Sequence, residues 1–314
     1  MKRQTLRIGT RRSPLALWQA EHVKGLIEKR LQISCSLVGI TTQGDRIRTV
    51  PLAGVGGKGL FIKEIEEALG RSDIDLAVHS MKDVPAEIPA GLRLSAIPPR
   101  EDPFDALVFK APPASLGKLT AGACIGTSSL RRACQIKFHR RDIVTRPVRG
   151  NVETRLRKLE EGPFDAIVLA VAGLKRLGLH HCIHEILSPE VCLPAIGQGA
   201  LAIEIREADA WLHEALQTLH DPHTSAAVEG ERGFLAAIGG GCHVPIGCFG
   251  KVLEGTLELT GLVASLSGFQ CVRRSKSGPV AEAASLGRRL GEEVLAAGGA
   301  EILDEIEKTL GALG

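Results

Sequence analysis

Ile74-Asp75-Leu76-Ala77-Val78-His79-Ser80-Met81-Lys82-Asp83 is the stretch on which the fold turns. Its first half is a short apolar run, which predicts a buried strand. The second half carries an imidazole, a hydroxyl, an ammonium and a carboxylate. A buried strand followed at once by reactive groups places those groups at the strand's C-terminal end, where open α/β sheets hold their ligands.

The flanking sequence extends this pattern. Leu6-Arg7-Ile8-Gly9 reads as a strand and Pro14–Leu31 as a helix, with Ser13 as N-cap and Pro14 at the first helical position. A second strand-helix pair is predicted over 36–41 and 60–69. Further on, Ile125-Gly126-Thr127 leading to Ser128 and a helix echoes Ile8-Gly9-Thr10 leading to Ser13, and Asp165-Ala166-Ile167-Val168 echoes Asp75-Leu76-Ala77-Val78. The offsets are 117 and 90, so this is no sequence repeat, but the order of elements is the same. Two similar α/β domains facing one cleft explain it, with crossings at Pro98-Pro99 and Leu193-Pro194-Ala195. After about residue 220 the sequence predicts a helix over 224–238, a Gly-rich loop, strands over 250–272 with turns at Gly255 and 265–268, and a final helical stretch. The expected layout is a first α/β domain of 1–98 plus 196–218, a second of 99–195, and a smaller α+β domain of 219–314.

Composition narrows the function. The chain has 314 residues, 44% apolar and 24% charged, with a mean hydropathy of +0.09, which excludes disordered and fibrous classes. With 8 Phe, 2 Trp and no Tyr it lacks the aromatic platforms of a single-stranded nucleic-acid reader. The net charge of +3 conceals an imbalance, because the 39 basic residues are 25 Arg and 14 Lys. Between Arg131 and Arg157 stand eight Arg and one Lys against Asp142 and Glu153, a net of +7, so the rest of the chain carries −4. A focused basic region suits a small polyanion better than a nucleic acid, which draws on charge spread over a face. There is no apolar targeting segment after Met1 and no membrane-length apolar run, so a cytoplasmic, reducing location is expected. The eight cysteines are scattered and never form C-x-x-C, which argues against disulfides there. The best metal-like spacing is His180 with His184, but no second ligand pair stands near it, so no metal site is expected.

Four motifs carry chemistry. Gly54-Val55-Gly56-Gly57-Lys58-Gly59 fails both as a dinucleotide fingerprint, lacking a strand before it, and as a P-loop, with Leu52 and Gly59 at the deciding positions. It reads as a Gly loop whose Lys58 closes over an anion, or as a plain surface turn. Thr127-Ser128-Ser129-Leu130-Arg131-Arg132 offers hydroxyls, backbone N–H groups and two guanidiniums at a helix start, and Arg149-Gly150-Asn151 with Arg155 repeats the theme. These are anion sites or simple N-caps with solvated arginines. Lys82-Asp83 provides a general acid or base, or a structural ion pair. In Gly239-Gly240-Gly241-Cys242-His243, three glycines expose one thiol beside an imidazole, as in a reactive cysteine or covalent anchor.

Taken together, these residues resemble the hydroxymethylbilane synthase, or porphobilinogen deaminase, family. The resemblance runs from Leu6 to about Gly250 and rests on residues 11–19, 56–61, 77–85, 126–132, 149–152, 174–178 and 193–199, in family order, and on the surroundings of Cys242. The family more often has Glu-Gly-Gly-Cys-Gln where this chain has Gly239 to His243. The resemblance implies two α/β domains like type II periplasmic binding proteins and a third, smaller α+β domain. It implies a transferase of porphyrin and heme biosynthesis that condenses four porphobilinogen molecules into linear hydroxymethylbilane. The chain would grow on a dipyrromethane cofactor held by a thioether, with Cys242 as the anchor. Loss of ammonia from porphobilinogen leaves an electrophilic methylene-pyrrolenine that a soft sulfur or a pyrrole carbon can attack.

By the same resemblance Asp83 handles protons at the pyrrole, and Arg11, Ser13, Lys82, Thr127, Ser128, Ser129, Arg131, Arg132, Arg149, Gly150, Arg155 and Arg176 hold side-chain carboxylates. Lys58 lies on a mobile loop and Gln198 in the inter-domain crossing. The implied state is a monomer with no nucleic-acid or membrane partner. The rival reading is a non-catalytic, two-lobed anion-binding protein, and a nicotinamide-dependent oxidoreductase is a weaker one.

Overall fold

In a computed structural model, which describes residues 5–46, 62–111, 115–239 and 244–311, the predicted strand-helix alternation is realised. In chain order the first elements are β1 (Thr5–Arg11), α1 (Pro14–Leu31), β2 (Ser34–Ile40), α2 (Gln43–Arg46), α3 (Lys63–Gly70), β3 (Leu76–Ser80) and β4 (Leu92–Ala96). Then come β5 (Asp105–Phe109), β6 (Cys124–Gly126), α4 (Leu130–His139), β7 (Val144–Arg146), α5 (Val152–Glu161), β8 (Ala166–Ala170), α6 (Val171–Arg176) and β9 (Glu185–Leu187). The last are β10 (Leu201–Arg206), α7 (Ala210–Leu216), α8 (Pro222–Ile238), β11 (Ile246–Leu253), β12 (Thr256–Ala264), β13 (Cys271–Pro279), α9 (Ala283–Val294) and α10 (Ala300–Gly311). The chain divides into two compact units, residues 1–101 with 199–225 and residues 102–198 with 226–314.

The first unit is built on a mixed sheet in the order β2-β1-β3-β10-β4, with β10 antiparallel to both neighbours. Ala20, Val23 and Ile27 of α1 close its core against Leu6, Ile8, Leu76 and Val78. The second unit contains a sheet in the order β7-β6-β8-β5-β9, with β5 antiparallel to both neighbours. Matching β1, β2, β3, β4 and β10 to β6, β7, β8, β9 and β5 makes the two orders identical, which bears out the paired α/β architecture.

The sequence echo falls on equivalent positions. Ile8 and Gly9 pair with Leu76 and Ala77, as Ile125 and Gly126 pair with Ala166 and Ile167. Asp75 Oδ2 accepts the Arg7 backbone N–H at 2.9 Å, and Asp165 Oδ2 accepts that of Cys124 at 2.7 Å, so each aspartate clamps the start of the strand beside it. The two offsets differ because the clamp spans 68 residues in the first unit and 41 in the second. Both glycines answer to packing: a Cβ on Gly9 would stand 2.2 Å from Ile74 Cδ1, and one on Gly126 2.9 Å from Ile167 Cγ2.

Within the second unit, β11-β12-β13 form an antiparallel sheet whose core includes Phe234, Leu257, Leu259, Leu286, Leu290 and Ile302. Glu254 (φ 47°) and Gly255 (φ 77°) make the turn of the first hairpin, as a type I′ turn requires at both central residues. The strands extend beyond the expected 250–272, to Pro279. β13, Cys-Val-Arg-Arg-Ser-Lys-Ser-Gly-Pro, buries none of its residues fully, so no apolar alternation marks it. The helix expected over 60–69 is described from Lys63, with positions 60 and 61 outside the described residues.

Candidate functional site

In the first unit β3 ends at Ser80 and the chain makes one tight turn over Met81–Asp83. Met81 N–H donates to Ala200 O at 3.0 Å and Val84 N–H to Met81 O at 3.1 Å, so both sides of the turn are fixed. Asp83 lines a small cavity with Arg11, Gln19, Val78, His79 and Ser80. Gln19 donates to Ser80 Oγ at 2.8 Å, which ties α1 to the strand end. Arg11, at the end of β1, pairs with Asp45 of α2, its Nε donating to Oδ2 at 3.3 Å. Burial would raise the Asp45 carboxyl, but its bonds to Arg11 and Thr42 hold it below its ordinary range. Ser13 is the N-cap of α1, with Oγ accepting from Ala16 N–H at 3.4 Å, and Lys82 is half-buried beside Asp83.

In the second unit the two predicted helix starts are real. Ser129 caps α4, Oγ accepting from Arg132 N–H at 3.4 Å, and Asn151 caps α5, Oδ1 accepting from Thr154 N–H at 2.8 Å. Thr127 Oγ1 accepts from Ser129 N–H at 3.1 Å, and Ser128 Oγ donates to Val148 O at 2.9 Å. Gly150 (φ 117°) turns the chain into α5, where a Cβ would lie 2.5 Å from Thr154 Cγ2. Arg176 ends α6 and is buried.

Arg131 and Arg132 are buried, not solvated. Both converge on Asp105, which the sequence reading did not single out. Arg131 Nη1 donates to Asp105 Oδ2 at 2.8 Å and to Leu193 O at 2.7 Å. Arg132 donates to Asp105 Oδ1 from Nε at 3.0 Å and from Nη2 at 2.7 Å, and to Val168 O from Nη1 at 3.0 Å. Gln198 Nε2 adds a bond to Asp105 Oδ1 at 2.9 Å and one to Pro103 O at 2.7 Å. Burial alone would raise the Asp105 carboxyl, but the two guanidiniums override it and hold it well below the carboxylate range. Cys192, whose Sγ lies 3.3 Å from Asp105 Oδ2, is pushed up to about 12 by burial and then by that carboxylate, so it is an inert thiol. The only trace of Asp105 in the sequence is one acid opening an apolar strand, and its partners are 26 to 93 residues away.

Arg155 is the electrostatic oddity. Its Nε donates to Gly150 O at 2.8 Å, and burial followed by the like charges of Arg132 and Arg149 pushes its guanidinium down to about 10. Cations gathered against their own repulsion at two capped helix starts are suited to receive an anion.

Glu231 of α8 is a second residue missed in the sequence. Fully buried, it accepts from Gly197 N–H at 2.6 Å and Gly250 N–H at 2.9 Å, fixing α8 to the crossing segment and to β11. Lys58 and Cys242 lie outside the described residues; Cys242 falls between α8 and β11 in the chain. The His180 segment is a surface turn, and His184 Nδ1 accepts from Phe109 N–H at 3.0 Å, a structural duty.

Two family profiles match the chain: "Porphobilinogen deaminase, dipyromethane cofactor binding domain" over residues 6–214 and "Porphobilinogen deaminase, C-terminal domain" over 225–296. The porphobilinogen deaminase of Syntrophotalea carbinolica is 53% identical over 310 residues, 98% of each chain. The chain belongs to the porphobilinogen deaminase family. The porphobilinogen deaminase of Pelobacter propionicus is 52% identical over 307 residues, again 98% of each chain. Among solved structures, the probable amino-acid ABC transporter extracellular-binding protein ytmK from Bacillus subtilis is 12% identical with a TM-score of 0.43, over 69% of this chain and 92% of that one. Membership makes this an enzyme of tetrapyrrole biosynthesis with a dipyrromethane-binding domain, and the non-catalytic anion binder is not favoured. Two pyrrole rings bearing acetate and propionate chains are a tetra-anion, and the Arg132, Arg149 and Arg155 cluster fits such a group.

Proposed function

We propose that the enzyme deaminates four porphobilinogen molecules and joins them head to tail, then releases linear hydroxymethylbilane by hydrolysis. Bound through a thioether to Cys242, the dipyrromethane cofactor supplies a pyrrole end on which the chain grows. The observation that carries this reading is the Arg155 cluster, whose mutual repulsion is relieved by carboxylates. Ser129, Thr127 and the N–H donors of Arg131 and Arg132 not engaged by Asp105 hold acid side chains beside it, with Arg149, Gly150 and Arg176. Asp105 and Gln198 keep those guanidiniums in place. Arg11, Ser13, Lys58 and Lys82 serve the same purpose around Asp83, which holds or moves the proton at the reacting pyrrole. Glu231 gives the Cys242 segment rigid mounts on α8 and β11.

In this reading the enzyme is a cytoplasmic monomer with three domains, 1–98 plus 196–218, 99–195 and 219–314. No helix among the described residues is long and apolar enough to cross a membrane, and the described cysteines are free thiols.

Intact-mass spectrometry tests the anchor. The purified protein is expected to be heavier than its sequence by two condensed pyrrole units, and Cys242→Ser to lack that increment. An active preparation at the bare sequence mass, or a Cys242→Ser variant that keeps the increment, overturns the assignment.

A further inference from the structure

Glu66, His79 and Glu204 are absent from the anion-holding set, yet His79 shares a cavity with Asp83. His79 Nε2 and Glu204 Oε2 are 2.9 Å apart, and the two side chains are 4% and 1% exposed. Register brings them together: His79 pairs with Ala202 of β10, and Glu204 stands two residues further along the same face. α3 packs on β3 and β10 and brings Glu66 to the pair. The Glu66 carboxyl is raised by burial and by the Glu204 charge, with His79 opposing. Glu66 Oε1 and Glu204 Oε1 are both buried, with no hydrogen-bond partner among the described residues.

Stability does not account for this cluster, since buried ion pairs are seldom worth more than apolar residues of the same volume. Two acids facing one imidazole cannot all be satisfied as charges unless an additional proton is shared among them. His79 also lines the cavity that Asp83 lines, with Arg11, Gln19 and Ser80. The cavity offers about 20 Å³ to a water molecule, enough for one, and its polar lining gives that water partners.

We propose that Glu66, His79 and Glu204 form a buried proton store that exchanges protons with Asp83 through this cavity. The inference rests on the reading of Asp83 as the proton-handling group. Deamination breaks a C–N bond and ammonia leaves with the electron pair, taking a proton. Joining the rings later gives a proton back from a pyrrole carbon. The two events cancel over one cycle but are separated in time, so the store serves to hold Asp83 in the protonation state that each of them needs. The proton passes from the Asp83 carboxyl by way of the water to the imidazole, and the imidazole's other proton moves along the 2.9 Å bond to Glu204. The return path reverses these moves, and nothing is consumed. Among the described residues the other charged group lining the cavity is Arg11 on β1, which is paired with Asp45 on α2, and α1 contributes the neutral Gln19.

The test uses cofactor-loaded enzyme and the variants His79→Gln, Glu204→Gln and Glu66→Gln. The first two are expected to lower kcat by about 10²-fold with KM nearly unchanged, and to displace the pH–rate profile. In resting enzyme, infrared spectra should show a protonated-carboxyl band that Glu66→Gln removes. Absence of that band in the wild type, or pH profiles unmoved in all three variants, overturns the proton store even when Asp83→Asn abolishes turnover. Near-normal turnover by Asp83→Asn instead overturns the reading of Asp83. Should His79→Gln not fold, Glu66→Gln, whose side chain is only half-buried, decides by the same two readouts.

Discussion

At Asp105 one carboxylate, 0% exposed, holds two guanidiniums, a side-chain amide and a thiol. In the unfolded chain this group titrates near 3.9, as aspartates do, whereas in the fold it lies well below that value. A carboxyl depressed by folding adds stability at every pH above its unfolded value and loses it as pH falls through the folded one. Asp105→Asn is therefore expected to cost about 3–5 kcal/mol at pH 7, because Arg131 and Arg132 stay buried without their counter-charge. Denaturant unfolding at pH 7 and in increasing acid checks this. The gap between wild type and variant should narrow below about pH 4, and a gap that does not narrow would show that shape, not charge, is what Asn loses.

Between elements, the doubled design makes a sharper demand than any single helix. Gly9 and Gly126 occupy one structural position, but they tolerate a methyl group differently, because the Gly9 clash is with the mobile end of Ile74 alone at 2.2 Å. Gly9→Ala should destabilise the protein by about 1–3 kcal/mol through overpacking, and adding Ile74→Val should recover most of that by removing the offending methyl. Additive costs in thermal or denaturant melts would rule out this contact as the cause. The same pair shows what could be read in advance. The strands around Ile8 and Ile125, the helix Pro14–Leu31 with its Ser13 cap and the helix start at Ser129 follow local rules, so they were legible. The shared strand order was legible only as an echo, since no local signal says that β5 and β10 run antiparallel between strands distant in the chain. Asp105, Glu231 and the His79–Glu204 pair were not legible, because their partners lie 19 to 125 residues away and exist only once the chain has folded. The arginines were recognised as a cluster, but which of them are committed to the protein itself depends on that same tertiary pairing.

Over the whole molecule, charge is allocated unevenly, with +7 concentrated between Arg131 and Arg157 in a chain of net +3. Every ring added during synthesis brings two carboxylates, so the demand for cations grows with each step while the supply is fixed. Arg155 shows what that supply costs the protein alone. A base depressed to about 10 is held charged at pH 7 at the expense of the fold, and stability should rise only as pH climbs from about 10 toward the unfolded guanidinium value. In a Cys242→Ser background, which the proposed anchor leaves without cofactor, Arg155→Gln should raise the melting temperature by about 2 °C at neutral pH. In the cofactor-loaded enzyme the same change should hurt the longest, most highly charged chains first. Intact-mass spectra taken during turnover should then show protein carrying one to three added pyrrole units in excess over wild type. A lower melting temperature together with a wild-type distribution of intermediates would place Arg155 in the scaffold with Asp105, and leave the growing carboxylates to Arg132, Arg149 and Arg176.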